Sequence, residues 1–343
     1  MRFVTHWLWA RRSLTARIAR LALLPPAWAY HAAVAVRARA YRARLLPQAI
    51  PTVPTVAVGN LTVGGSGKTP LASWIAGYYA RRGLKPAIVL RGYGGDEGDV
   101  HRLLVPGAVV VEDPDRIAGA RRAVAQGAEI VVLDDAYQRL DVGRDLNIAV
   151  VSAESSRAVP WTLPAGPWRE GWGALRRADL VIVTRKRADR ITALAVAERA
   201  RRAAPRAPVA IAKLAITGFR GLLSGGFRSA ESLDGARVLA TAGIGDPDSF
   251  ASQCRRLGAH VELLAWPDHH SYRAGDVARL LHAAAAVDYV VVTEKDAAKL
   301  RSLWPPRVPE PLVAALDVRW EHGRAAVEAA LDLVATDVTE LLA

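Results

Sequence analysis

The feature that most constrains the fold is a short β-branched run that leads into a glycine-rich turn and the start of a helix. It reads TVAVGNLTVGGSGKTP from Thr55 to Pro70. Glycines let backbone N–H groups turn inward around an anion, and the following helix adds the partial positive charge of its N-terminus. Lys68 would reach the β- and γ-phosphates of a nucleotide, and Thr69 would ligate Mg²⁺. The stretch therefore predicts a phosphate-binding loop (P-loop).

The loop departs from the usual G-x-x-x-x-G-K-[S/T] pattern, because Thr62 stands where that pattern has its first glycine. An alternative interpretation is a glycine turn between strand and helix that carries an ordinary solvated lysine. The strand before the loop and the helix after it favour nucleotide binding. We expect the contacts to come from Gly64, Gly65, Ser66, Gly67, Lys68 and Thr69.

Composition limits what the rest of the chain can be. A length of 343 residues suits two domains, and we expect both to be α/β. Apolar residues make up 51%, yet no apolar run approaches the ~20 residues of a spanning helix, so the chain should not cross a bilayer. Cys254 is the only cysteine, which excludes an intrachain disulfide and favours a reducing, cytoplasmic setting.

The net charge of +13 is concentrated at the N-terminus, where residues 1–50 hold nine arginines and no acidic residue. The spacing of Leu14, Ile18 and Leu21 gives a helix an apolar stripe with basic flanks. This combination is typical of a helix that lies on an anionic membrane surface. Two prolines at 25–26 indicate a helix, a break and a second helix rather than a span.

Other interpretations of this segment stay open. Ala27-Trp28-Ala29 has the small-x-small form of a signal-peptide cleavage site, although arginines and prolines interrupt the preceding apolar part. A basic helix packed on its own domain is the second alternative. No recognised nucleic-acid motif accompanies the charge, so we expect a membrane surface and no nucleic acid as the partner.

Two loops after predicted parallel strands carry chemical groups, and such loops line the ligand crevice of open α/β sheets. The predicted strand 86–90 leads into a glycine-rich loop with Asp96 and Glu97, for which a solvated acidic turn is the alternative. The predicted strand 129–133 ends in Asp134 and Asp135. This Walker-B arrangement places a carboxylate on Mg²⁺ beside Thr69, while a helix N-cap is the alternative for one aspartate.

Further candidates lie in later loops. Arg169, in the rigid loop 161–170, would stabilise a transferring phosphate or form an exposed pair with Glu170. From about residue 208 the chain reads as linker strands and then as a smaller set of βα units, with a final helix over 324–342. His269, in the loop 266–272, is the best candidate for a general base. A metal site at His269 and His270 is disfavoured, since adjacent histidines point in different directions.

Together these motifs resemble the tetraacyldisaccharide 4′-kinases, the lipid A 4′-kinases (LpxK family). The residues that carry the resemblance are Val58-Gly59-Asn60 through Lys68-Thr69-Pro70, Arg91-Gly92-Tyr93-Gly94, Asp134-Asp135 with Gln138, Leu163 to Glu170, Gly243-Ile244-Gly245, Asp268-His269 and Thr293 to Ala297. The resemblance implies transfer of the ATP γ-phosphoryl group, with Mg²⁺, to the 4′-hydroxyl of a tetraacylated glucosamine disaccharide 1-phosphate. It also implies a peripheral site on the cytoplasmic face of the inner membrane.

The resemblance assigns roles residue by residue. Asp96 takes the place of the catalytic aspartate of a Gly-Asp-Glu motif, and His269 that of its partner histidine. The segment before this motif is shorter here than in the family, which leaves Asp99 as the alternative carboxylate. A histidine that the family has after Gln138 is absent. Candidate substrate contacts are Arg91, Tyr93, Glu97, Gln138 and Arg169.

The predicted architecture is a P-loop NTPase-like α/β/α sandwich with a smaller second α/β domain and an amphipathic N-terminal helix. The expected boundaries are 1–50, 51–215 and 216–343, and we expect a monomer in which His269 comes from a different domain than Asp96. The alternative function is a membrane-targeted ATPase of the partitioning type, disfavoured because Val63 stands where such proteins have a signature lysine. A GTPase is disfavoured because the lysine of Thr293 to Asp296 is out of register with [N/T]-K-x-D.

Overall fold

The computed structural model describes residues 8–9, 13–92, 97–154 and 159–342. Its first half contains, in chain order, α1 (Leu14–Ala22), α2 (Leu24–Arg42), β1 (Thr55–Asn60), α3 (Lys68–Ala80), β2 (Pro86–Leu90), α4 (Glu97–Leu104), β3 (Val109–Glu112), α5 (Arg116–Ala125), β4 (Ile130–Leu133), β5 (Leu146–Ser152), β6 (Leu180–Arg185) and α6 (Arg190–Ala203). The second half contains β7 (Val209–Gly221), β8 (Phe227–Ser229), β9 (Arg237–Ala242), α7 (Pro247–Arg256), β10 (His260–Ala265), α8 (Ala274–Ala284), β11 (Tyr289–Val292), α9 (Glu294–Leu300), β12 (Leu312–His322) and α10 (Arg324–Leu342).

The chain divides into two compact units. Unit 1 comprises Met1–Arg91, Gly107–Lys213 and Trp320–Ala343, and unit 2 comprises Gly92–Pro106 and Leu214–Arg319. Two strands, β7 and β12, carry the chain from one unit to the other. This mixed α/β architecture confirms the predicted fold class.

Unit 1 is built on a parallel sheet in the order β7-β6-β5-β1-β4-β2-β3. The strands are buried apolar runs, as parallel strands with both faces covered usually are. β1 pairs with β4 on one side and with β5 on the other. The P-loop therefore leaves the sheet beside the end of β4, which Asp134 and Asp135 follow, and beside the end of β5.

The C-terminal helix α10 packs on α3 within unit 1. The Tyr78 hydroxyl donates to Asp332 Oδ1 at 2.7 Å, and the Tyr79 hydroxyl donates to the Leu331 carbonyl at 3.1 Å. Arg82 pairs with Asp332 at 2.9 Å. The expected smaller domain, 216–343, includes this helix, whereas the structure places it in unit 1. Sequence order alone does not reveal that the chain returns to unit 1.

The N-terminal helices are separated at Leu23, and the two prolines lie in the first turn of α2, where their missing N–H groups cost nothing. On α1, Leu14, Ile18 and Leu21 are exposed, and Ala16 is the buried residue. The apolar stripe predicted from the sequence thus faces away from the core. No helix within the described ranges is both long enough and apolar enough to cross a membrane.

Unit 2 holds a parallel sheet in the order β10-β9-β11-β12. One apolar core lies around Phe219, Val238, Phe250 and Leu312, and a second around Leu239, Leu280, Val292 and Trp304. The single cysteine, Cys254, is buried in the first of these cores. Helix α4 also belongs to this unit and packs on α9.

Several elements differ from those expected. The linker strands predicted over 209–216 and 218–226 are one long strand, β7, followed by the short β8. Gly218 resembles a break in the sequence, but it lies within β7 where the Phe227 ring packs too closely for any Cβ. Strand β3 and helix α4 were not predicted, since α4 is short and follows a glycine-rich stretch.

Unit 2 buries a carboxyl group at the start of α9. Glu294 is 9% exposed, and its Oε1 accepts the Leu316 N–H at 3.3 Å. Burial raises the pKa of Glu294 from 4.5 to about 7, against the opposing influence of that hydrogen bond and of Arg220, while Asp317 raises it further. Between pH 4.5 and about 7 the Glu294 carboxyl group is therefore protonated in the folded protein and ionised in the unfolded chain.

We expect this carboxyl group to make the stability of the protein fall as the pH rises from about 4.5 to 7. Because folding raises the pKa of Glu294, the group's contribution to the free energy of unfolding is complete below the pKa of the unfolded chain. It disappears as the pH rises through the folded-state pKa. Glu294→Gln keeps the acceptor but cannot ionise, and should remove about 2–3 kcal/mol of this pH dependence. Guanidinium unfolding midpoints at pH 5 and pH 8 measure the effect. The exposed Glu262→Gln serves as the control, and an unchanged pH slope in Glu294→Gln would contradict the expectation.

Candidate functional site

The P-loop in unit 1 has the backbone conformation that its glycines were expected to supply. Gly64 and Gly67 have φ values of 111° and 86°, which residues with a Cβ rarely adopt. Gly67 is the N-cap of α3, so Lys68 and Thr69 form its first turn. The predicted nucleotide contacts from Gly64 to Thr69 therefore lie together, between the end of β1 and the start of α3.

Asn60 ties the loop together from inside. Its buried side chain donates to the Thr62 carbonyl at 2.6 Å and to Ser66 Oγ at 2.7 Å. The Asn60 carbonyl in turn accepts from Gln138 Nε2 at 2.8 Å. Gln138, predicted as a substrate contact, thus links the turn after β4 to the end of β1.

A charged cluster lies where the P-loop helix meets the turn after β4. The Asp135 carboxylate is 2.8 Å from Arg169 Nη1 and 3.7 Å from Lys68 Nζ. Asp135 has a φ of 53°, a left-handed conformation that aspartate tolerates better than most residues. The predicted residues Lys68, Asp135 and Arg169 are therefore brought together, although Arg169 is 101 positions from Lys68 in the printed sequence.

Arg169 is delivered by the loop 161–170, which pairs with the start of the P-loop. The Val63 N–H donates to the Pro167 carbonyl at 2.8 Å, and the Arg169 N–H donates to the Leu61 carbonyl at 2.7 Å. Glu170, whose pairing with Arg169 was the alternative, is buried and accepts from Arg177 Nη1 at 2.7 Å instead. Backbone pairing and this buried ion pair together hold Arg169 toward Asp135.

The predicted metal ligands lie beside this cluster. Asp134 is buried, and its Oδ1 accepts the Asp135 N–H at 2.8 Å, while buried Arg116 donates to the Asp134 carbonyl at 3.2 Å. Hydroxyl and carboxylate oxygens such as those of Thr69 and these aspartates suit Mg²⁺. Among the described residues, no group of three or more His, Cys, Asp or Glu side chains is placed to hold a metal ion. Magnesium at nucleotide sites is usually held by one or two carboxylates and completed by phosphate oxygens.

On unit 2, the predicted acceptor-side residues are only partly described. Asp96 and Tyr93 lie outside the described residues, and Arg91 is the last residue of the first stretch of unit 1. Glu97, the first residue of α4, pairs with Lys295 of α9 at 2.9 Å. The alternative carboxylate, Asp99, pairs with Arg102 on its own helix at 2.7 Å.

The two adjacent histidines have different surroundings. His269 has a φ of 56°, and its N–H donates to the Gly243 carbonyl at 3.0 Å, with its Nε2 3.9 Å from Asp268 Oδ2. His270 stacks on Trp266 and lies 3.1 Å from Asp276 Oδ2. His269 and helix α4 belong to the same unit. The expectation that His269 and Asp96 come from different domains involves Asp96, which lies outside the described residues, and stays a prediction.

Asp296 is a central polar residue of unit 2 to which the sequence analysis assigned no role. It accepts from the Gly243 N–H, the Tyr272 hydroxyl and the Thr293 hydroxyl at 2.9, 2.9 and 2.6 Å. Burial raises its pKa, although these hydrogen bonds oppose the shift. A signal existed in the sequence: Asp296 lies in the first turn of the helix that follows the strand β11, a region where chemical groups gather. It fixes the loop after β9 against which His269 is placed.

Comparison with solved structures supports the architecture. A structure of LpxK from Aquifex aeolicus in complex with ATP matches with a TM-score of 0.71, covers 92% of this chain and 99% of that chain, and is 23% identical in sequence. At this identity the match establishes the fold alone.

Comparison with known sequences establishes the family. The tetraacyldisaccharide 4′-kinase of Anaeromyxobacter dehalogenans (strain 2CP-C) is 38% identical over 335 residues, covering 88% of this chain and 87% of the relative. That of Pelobacter propionicus is 36% identical over 336 residues, covering 90% and 91%. The family model for tetraacyldisaccharide-1-P 4′-kinase (LpxK) matches residues 19–108 and 103–335. The chain therefore belongs to the tetraacyldisaccharide-1-P 4′-kinase family.

Proposed function

We propose that this chain transfers the γ-phosphoryl group of ATP to the 4′-hydroxyl of a tetraacylated glucosamine disaccharide 1-phosphate, a step of lipid A biosynthesis. The observation that carries the proposal is the cluster of Lys68, Asp135 and Arg169 at the P-loop, in a chain of this kinase family. Cations placed around a phosphate-binding loop are what phosphoryl transfer requires from a protein. Radiolabel transfer from ATP to the purified acceptor lipid tests the proposal. ATP hydrolysis at a rate that does not depend on the lipid, without transfer to it, would favour the membrane-targeted ATPase instead.

Unit 1 supplies the donor side of the proposed reaction. The N–H groups from Gly64 to Thr69 surround the phosphates, Lys68 neutralises charge on the β- and γ-phosphates, and Arg169 stabilises the group in transfer. Thr69 with Asp134 and Asp135 would hold Mg²⁺, which when bound neutralises phosphate charge. Lys68 and Arg169 both form ion pairs with the Asp135 carboxylate in this structure, so that carboxylate orients the two cations.

Asp96 and His269 would supply the acceptor side. Asp96 accepts the proton of the sugar hydroxyl, and His269 orients that carboxylate and adjusts its pKa. Asp99 is the weaker candidate because Arg102 already holds its carboxylate. Arg91, Tyr93, Glu97 and Gln138 complete the proposed substrate contacts, Glu97 from the end of α4 nearest to Asp96 in sequence.

The N-terminal helices give the proposed enzyme its membrane contact. The exposed stripe of Leu14, Ile18 and Leu21 would enter the headgroup region, and Arg17 and Arg20 would face anionic lipid. We propose a monomeric, peripheral enzyme on the cytoplasmic face of the inner membrane, where its acylated substrate would be reached laterally.

We expect Lys68→Met to lower kcat/KM for phosphoryl transfer by about 10²–10³-fold, because it removes a positive charge from developing phosphate charge. Lys85→Met, on the surface of the same unit, is the matched control and should leave kcat/KM unchanged. Radiolabel transfer and the thermal unfolding curve of each variant are the measurements. Normal turnover by a folded Lys68→Met variant would contradict the P-loop assignment.

We expect Asp96→Ala and His269→Ala each to lower kcat by about 10²–10⁴-fold with little change in the KM for ATP, since proton transfer affects the chemical step. If the two residues act as a unit, the double variant should be hardly slower than the slower single variant. His260→Ala and Asp99→Ala are the controls. Fully additive losses, or a larger loss in Asp99→Ala than in Asp96→Ala, would disprove the pairing.

We expect a triple replacement of Leu14, Ile18 and Leu21 by Glu to reduce binding to phosphatidylglycerol vesicles at least about tenfold, because each buried apolar side chain contributes about 1.5–3 kcal/mol. Leu333→Glu is the matched control, since Leu333 and Leu14 are both 72% exposed. Vesicle flotation measures the binding, and rising salt should weaken the wild-type interaction. Equal flotation of the triple variant would indicate that α1 has only a structural role.

A further inference from the structure

The P-loop cannot itself supply hydrogen-bond donors to all of its carbonyl groups. When consecutive N–H groups turn inward to form an anion site, the carbonyls of the same peptides turn outward and need donors of their own. Two of these carbonyls, those of Gly65 and Ser66, receive side-chain donors from the end of β6. Lys186 Nζ donates to the Gly65 carbonyl at 3.0 Å, and Thr184 Oγ1 donates to the Ser66 carbonyl at 2.7 Å.

The two donors differ in chemistry and in setting. Thr184 is 1% exposed and lies on the buried strand β6, so its hydroxyl is held at the loop by the sheet itself. Lys186 is half-buried in the turn after that strand, and its ammonium adds positive charge beside the loop. A Cβ added at Gly65 would lie 3.5 Å from that ammonium, which shows how closely the lysine approaches the loop backbone.

The turn that carries Lys186 is itself fixed by one carboxylate. Glu154 Oε1 accepts the N–H groups of Lys186, Arg187 and Ala188 at 2.7, 2.8 and 3.0 Å, and its Oε2 accepts from Ser152 Oγ at 2.9 Å. Burial tends to raise the pKa of Glu154, but these hydrogen bonds outweigh burial and hold it below its ordinary value. Glu154 is therefore an anion at neutral pH, and the turn it binds is held in one conformation.

We propose that Thr184 and Lys186 are positioning residues of the nucleotide site, which hold the carbonyls of Ser66 and Gly65 and so fix the loop backbone that binds the phosphates. The Ser66 N–H donates to the Gly64 carbonyl at 2.9 Å within the loop, so the N–H that Thr184 presents to the phosphates is that of Gly67, in the same peptide as the Ser66 carbonyl. The inference rests on the proposed function, because it concerns how the same P-loop binds ATP. A loop that has threonine in place of the first glycine of the usual pattern gains its conformation partly from outside, from Asn60 within β1, from Thr184 of β6 and from Lys186 in the turn after it.

The test compares variants that remove one donor with variants that keep it. Thr184→Val preserves shape and loses the hydroxyl, whereas Thr184→Ser keeps it; Lys186→Met loses the ammonium, whereas Lys186→Arg keeps a cation. Isothermal titration calorimetry with ATP should show the Kd raised about 5- to 10-fold in Thr184→Val and about 10-fold or more in Lys186→Met. The two conservative variants should stay within about threefold of wild type. In transfer kinetics the loss should fall mainly on the KM for ATP rather than on kcat.

Controls separate this inference from the proposed function and from misfolding. Thr217→Val removes a hydroxyl that donates to the Ala315 carbonyl in unit 2 and should leave the Kd for ATP unchanged. If the wild-type protein binds no ATP, the proposed function itself fails. If wild type binds ATP and Lys186→Met, whose side chain is partly exposed, binds it equally well, the positioning role is overturned, whether or not Thr184→Val folds.

Discussion

The structure depends on the parallel pairing of β1 with both β4 and β5. In the register that places Ala57 opposite Leu133, β4 ends three residues before β1, so the aspartate turn runs beside the last residues of β1, where the Ala136 N–H donates to the Val58 carbonyl at 2.9 Å. Gly59 is required for this arrangement, because a Cβ there would lie 2.5 Å from the Tyr137 backbone nitrogen. The close approach brings Asp135 to the first turn of α3. Lys68 and the Walker-B carboxylates are thus neighbours because of strand register, not because of their own attraction.

The charges at this site have little to do with stability. Asp135 is 34% exposed and Arg169 26% exposed, and partly exposed ion pairs contribute only about 0–1 kcal/mol. The left-handed backbone of Asp135 also costs free energy, of order 1–3 kcal/mol. An arrangement that is at best neutral for folding is expected where the side chains are placed for a ligand. The Glu170–Arg177 pair is the opposite case, since it is buried beside the Tyr137 ring and supports the loop that carries Arg169.

Local patterns in the sequence were sufficient for β1, β2 and β4 and for the turn and helix that follow β1, but not for β3. They were insufficient wherever the contact joins distant parts of the chain. Glu97 meets Lys295 across 198 positions, and Thr184 meets Ser66 across 118. Helix α4 is a further example, because it leaves its neighbours in sequence and packs on α9.

Within unit 1, the loop 161–170 contacts both the N-terminal segment proposed to bind lipid and the P-loop proposed to bind ATP. Its Thr162 hydroxyl donates to the Ala27 carbonyl of α2 at 3.1 Å, and its Pro164 carbonyl accepts from Trp9 Nε1 at 3.0 Å. The same loop pairs with the start of the P-loop and carries Arg169 to Asp135. The N-terminal segment proposed to contact lipid therefore rests on the backbone that sets the position of a phosphate-side cation. With α1 on lipid as proposed, this arrangement would hold the donor site at a defined distance from the membrane surface, within reach of the proposed acylated acceptor.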